Sequence, residues 1–117
     1  NLLNEAALLA ARKNRTAVTM QDINEARDKV LYGKERKSLE MDVEEKKTTA
    51  YHESGHTVVA LSLKHADPVD KVTIIPRGMS LGATMFLPEK NRVGYWKNEL
   101  HHRLAVLMGG RCAEEIF

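Results

Sequence analysis

One pentapeptide constrains this chain more than any other feature: His52-Glu53-Ser54-Gly55-His56. Two imidazoles four residues apart reach a common point only when they share one face of an α-helix, and the intervening glutamate then stands beside that point. The fold must therefore carry the pentapeptide on a helix and open that helix to a cleft. Ala50, Ser54, Gly55 and Thr57 around it are uncharged, and Val58 and Val59 follow. Gly55 costs a helix about 1 kcal/mol relative to alanine, a cost commonly kept where something must approach closely. Chance placement of the chain's histidines and glutamates gives about 0.02 such motifs, which leaves a surface helix with two incidental histidines as the competing explanation.

The rest of the chain supplies elements around that helix. Residues 2 to 13 are rich in Leu and Ala, with Leu2, Leu3, Ala6, Leu9 and Ala10 tracing one face of a helix that has no N-cap approach at Asn1. Thr19, with Asp22 three residues on, starts a second helix whose apolar face is Ile23, Ala26 and Val30, and Gly33 ends it. From Lys34 to Lys47, ten of fourteen residues are charged, five of each sign, which marks a solvated linker and a domain boundary. The third helix, over 43 to 64, contains the two histidines and is bounded near Asp67-Pro68. Lys71 to Ile75 and Leu81 to Leu87, closed by Pro76 and Pro88 and separated by Arg77-Gly78, read as a β-hairpin. Tyr95 to Met108 returns to helical spacing, Gly109-Gly110 interrupts it, and a further helical stretch begins at Arg111. The fold class expected is α+β, mainly α-helical.

Composition removes several classes. With 43% apolar and 29% charged residues, the 117-residue chain matches ordinary globular domains, and a net charge of +2 without a basic cluster argues against nucleic acid as a partner. The first two helices are not a DNA-reading pair, because Asp22, Glu25 and Asp28 would face phosphate. The single cysteine, Cys112, precludes an internal disulfide and a thiolate-rich zinc site. No stretch approaches the roughly 18 apolar residues of a membrane span, so the chain as given reads as soluble. Both ends fall within helical patterns, as expected of a piece of a longer chain.

The chemistry that fits the pentapeptide is metal-assisted amide hydrolysis. His52 and His56 would hold Zn²⁺ with a third protein ligand, leaving a fourth position for water. Glu53 would act as general base and pass the proton to the leaving amine. A metzincin extension needs glycine at position 59 and histidine at position 62, where this chain has Val59 and Ser62. Glu114 and Glu115, then His101 and His102, are the remaining ligand candidates within the chain. Glu114 ranks first, more as a partner that orients a histidine than as a direct ligand. His65, His101 and His102 otherwise read as surface histidines.

Four segments in order, Asn4 to Arg12, Thr49 to His56, Lys71 to Gly78 and Gly109 to Ile116, together resemble the FtsH-type AAA+ ATP-dependent zinc metalloproteases over essentially the whole chain. The resemblance implies that residues 1–33 are the end of the ATPase helical lid, 34–47 the linker, and 48–117 the N-terminal part of the zinc peptidase domain. It implies Zn²⁺ as cofactor, with ATP and Mg²⁺ confined to an ATPase module absent here, since the phosphate-binding G-x-x-x-x-G-K-[ST] loop is missing. It also implies a homo-hexameric parent that degrades unfolded and membrane polypeptides. That parent would be anchored in the bacterial inner membrane or an organelle membrane through segments absent from this chain. The family's third zinc ligand is an aspartate beyond the Gly-Gly-Arg segment, so the isolated chain is expected to be inactive. The strand at Leu81 to Leu87, with Gly82 open to backbone approach, resembles the family's substrate-facing strand. Two rivals stand beside this reading: another H-E-x-x-H peptidase that takes its third ligand from Glu114, and a non-catalytic helical packing or oligomerisation module that binds no metal.

Overall fold

The computed structural model of the chain describes residues 1–37, 39–87, 94 and 96–117. Among these the elements run α1 (Leu2–Arg12), α2 (Met20–Tyr32), α3 (Val43–Ser62), β1 (Val69–Thr73), β2 (Ala83–Phe86) and α4 (Lys97–Ile116). The architecture is α+β and mainly helical. No helix among the described residues is long and apolar enough to cross a membrane.

α1 and α2 pack with Ala6, Ala10 and Ala26 buried, small side chains that let the two backbones approach. Asn1 caps α1 after all, its side-chain oxygen accepting from the Leu3 and Asn4 N–H groups. Thr19 and Asp22 form a reciprocal capping box on α2. Asp22 is fully buried, and the Thr19 backbone N–H bond, ahead of the Arg15 guanidinium, holds its carboxyl below the usual carboxylate range. Glu25 receives Lys13 at 3.1 Å, and Asp28 pairs with Lys71. The three carboxylates of α2 thus answer cations of this same chain.

β1 and β2 pair antiparallel, with Val72 opposite Thr84 and Thr73 opposite Ala83, and the register slips between Val69 and Lys71. Asp70 is the additional residue there, and such irregularities re-aim a side chain. Its carboxylate turns to α2, where Arg27 Nη2 donates to Oδ2 at 3.1 Å and Tyr32 Oη donates to the same oxygen. The Tyr32 hydrogen bond comes first among the causes that lower the Asp70 carboxyl, with Arg27 adding to it against the cost of burial. Residues 33–36 continue this docking onto the hairpin turn: the Arg36 N–H donates to Pro76 O at 2.8 Å, and the Gly78 N–H to Lys34 O at 3.0 Å. The start of the charged run, expected as solvated, is therefore bonded to the turn.

Both strands are shorter or earlier than their apolar patterns suggest. Thr73 Oγ1 accepts the Ile75 N–H at 3.0 Å, diverting the chain from the ladder before the β-branched run is spent. Pro88 and Tyr95, expected to close the second strand and to open the last helix, lie outside the described residues.

α3 begins at a second capping box, Asp42 with Glu45, and packs along both α4 and the hairpin. Its crossing with α4 overturns the expected break at Gly109-Gly110, because α4 runs unbroken from Lys97 to Ile116. A Cβ on Gly55 would lie 2.3 Å from Gly109 O, and one on Gly109 would lie 2.8 Å from Gly55 O. The glycines are where two helix backbones touch, and the packing gained there offsets their poor helix propensity.

Candidate active site

α3 carries His52 and His56 on one face, as their spacing requires, and their Nε2 atoms stand 3.0 Å apart with the rings edge-on. The opposite nitrogen of each ring is engaged by α4. His52 Nδ1 lies 3.0 Å from Glu114 Oε2, and His56 Nδ1 lies 2.6 Å from the Val106 carbonyl oxygen. A carbonyl or carboxylate oxygen only accepts, so each Nδ1 carries the hydrogen, and in the neutral ring the lone pair is then at Nε2. Two lone pairs facing each other across 3.0 Å repel unless a cation lies between or beside them.

Two imidazole nitrogens at about 2.0–2.1 Å from one tetrahedral zinc are roughly 3.3 Å apart, close to the separation here. The residues present therefore fit a metal ion. Gly110 keeps that space open: a Cβ there would come 2.6 Å from His56 Nε2 and 2.7 Å from His52 Nε2.

Glu53 is buried beside this pair, and Thr84 of β2 donates to its carboxylate Oε2 at 3.0 Å. A cleft of about 610 Å³ is lined by His52 and Glu53 together with Thr49, Leu81, Gly82 and Glu114. Its volume suits a ligand of several heavy-atom groups. Gly82 is buried, with a Cβ there 2.7 Å from Thr49 Cγ2 and 2.8 Å from Thr73 O. Its closest neighbours are thus α3 and the partner strand.

The other candidates lie apart. His65 and His102 stack on each other with ring centroids 5.2 Å apart, His101 is exposed, and Glu115 pairs with Arg111 at 3.2 Å. Among the described residues no group of three or more His, Cys, Asp or Glu side chains is disposed to hold a metal. Glu114 sits on the nitrogen of His52 that faces away from His56. Sequence reasoning missed Thr84, Gly110 and the Val106 carbonyl. Thr84 reads as one β-branched residue in a strand, and a backbone carbonyl leaves no sequence signal.

The sequence that carries this site is similar to that of known proteins. A family model described as Peptidase family M41 matches residues 39–117. The ATP-dependent zinc metalloprotease FtsH of Protochlamydia amoebophila is 80% identical over 117 residues, which is 100% of this chain and 13% of that protein. The ATP-dependent zinc metalloprotease FtsH of Chlamydia trachomatis serovar L2 is 77% identical over the same share of each. That of Acidobacterium capsulatum is 62% identical over 117 residues, or 100% of this chain and 18% of that protein. The chain spans less than a fifth of the length of these relatives. With the family model covering more than half of it, and the His52-Glu53-x-x-His56 helix inside the matched stretch, the chain belongs to peptidase family M41.

Proposed function

We propose that this chain supplies the zinc-holding and proton-transferring part of an ATP-dependent endopeptidase. The observation that carries the reading is the pair of Nε2 atoms 3.0 Å apart, each on a ring whose Nδ1 is held by α4. His52 and His56 would hold Zn²⁺, which when bound supplies a Lewis acid for a scissile carbonyl and for water. Glu53 takes a proton on its carboxylate and returns it to the nitrogen of the leaving amine. Glu114 orients His52 from the far side of the ring; the third ligand is, as the family resemblance implies, an aspartate outside this chain, and the isolated chain is taken to be inactive.

The relatives' shared name supports ATP dependence and polypeptide substrates for the whole protein. On the same reading the parent is a homo-hexamer, membrane-anchored through other segments, that degrades unfolded and membrane proteins. Among the described residues β2 pairs on one side only, with β1, and its other edge offers backbone groups to an extended peptide. Zinc analysis of the purified full-length protein is expected to give one ion per protomer, and less than about a tenth of that after His52→Ala with His56→Ala. Stoichiometric zinc in the double variant would refute the assignment.

Residues 1–33, 34–47 and 48–117 are assigned to the end of an ATPase lid, a joining segment and the start of the peptidase domain. Support comes from the polar character of the contact that Arg27, Asp28 and Tyr32 make with the hairpin, typical of interfaces between domains. In limited trypsin digestion of the full-length protein, cleavage between 34 and 47 is expected before cleavage at Lys64, Arg77 or Arg103. Fragment masses showing any of those three cut first would move the boundary.

A further inference from the structure

Glu53 is a buried carboxylate, and a buried carboxylate needs a donor. Among the described residues that donor is Thr84, on a strand thirty-one positions away. Its hydroxyl lies 2.8 Å from the Glu53 carbonyl oxygen and 3.0 Å from the carboxylate Oε2. One hydroxyl carries one hydrogen, so the two contacts compete for it. The Glu53 carbonyl already accepts from the Thr57 hydroxyl at 3.0 Å. The hydrogen of Thr84 is then best placed on the carboxylate, where a charged acceptor makes the stronger bond.

We infer that Thr84 is a positioning residue for the reaction: it holds Oε2 of Glu53, so that the second carboxylate oxygen keeps a fixed direction for accepting and returning the proton. The inference rests on the general-base role proposed for Glu53. The last torsion of a glutamate is broad and roughly two-fold, so an untethered carboxylate samples many directions, and one tethered oxygen removes most of that freedom. Thr84 is well placed to do this. It lies in the ladder of β2 opposite Val72, the hairpin packs on α3, and a β-branched side chain has few χ1 states. The hairpin therefore reaches the chemistry through one hydroxyl.

The test compares full-length Thr84→Val, Thr84→Ser and Glu53→Gln proteins on a fluorogenic peptide, with zinc content measured for each. Thr84→Val is expected to lower kcat about 10- to 100-fold with KM within about twofold and zinc unchanged, as for loss of a partner that orients a reacting group. Thr84→Ser, which keeps the hydroxyl, is expected to recover kcat to within about threefold. Wild-type kcat in the valine variant, or a serine variant as impaired as the valine one, would overturn the positioning role. Zinc lost together with activity would overturn it too, by placing the effect at the histidines. Full activity in Glu53→Gln would instead sink the general-base reading itself, and the inference with it.

Discussion

Glu53→Gln in the full-length protein is expected to leave zinc bound at the wild-type stoichiometry while proteolysis falls by at least about 10²- to 10⁴-fold, the span that one general base contributes. The amide keeps the size of the side chain and its oxygen can still accept from Thr84 Oγ1, so neither the fold nor the histidine pair loses a contact. What disappears is the capacity to take a proton. The histidines keep their own supports on α4, Glu114 for His52 and the Val106 carbonyl for His56, neither of which involves Glu53. Metal analysis and peptide hydrolysis on the same preparation check both halves. Zinc lost along with activity would make Glu53 a ligand or a structural support of one.

Gly55→Ala is expected to destabilise the peptidase portion by about 3 kcal/mol or more, at the upper end of overpacking costs. Here two effects of known sign oppose each other. Helix propensity alone favours alanine by about 1 kcal/mol. Against it, the new methyl would lie 2.3 Å from Gly109 O, 2.7 Å from Ala113 Cβ and 2.9 Å from Gly109 C. Two of those atoms are backbone in a continuous helix and cannot swing aside, so α3 and α4 must separate. Separation also withdraws Glu114 and Val106 from the histidines, and zinc binding is expected to weaken with stability. Ser54→Ala, at an exposed neighbour, is the control and is expected to stay within about 0.5 kcal/mol of wild type. A stabilised Gly55→Ala protein in thermal unfolding would show that the crossing relaxes freely, and the close packing assigned to the glycines would be wrong.

The sequence by itself determined what depends on neighbours three and four residues apart. The capping boxes at Thr19 with Asp22 and at Asp42 with Glu45 close within one helical turn. So does the sharing of one face by His52 and His56; of these, the helix start at Thr19 with Asp22 and the shared histidine face were read from spacing, and the Asp42 box was not. The two strands were legible as apolar runs, though not their ends, because Thr73 spends its hydroxyl on the Ile75 N–H. Only the tertiary structure decided which distant groups serve the site. Glu114 meets His52 across sixty-two positions, the Val106 carbonyl meets His56 across fifty, and Thr84 meets Glu53 across thirty-one. The Gly109-Gly110 pair illustrates the division most sharply. Its local propensity is for a break, yet α4 passes through it as helix because the surface it meets is the backbone of α3 at Gly55 and the two imidazoles. A residue's own preference is a matter of about 1 kcal/mol, whereas the cost of a collision with a fixed backbone is several times that, so the partner's position decides the outcome.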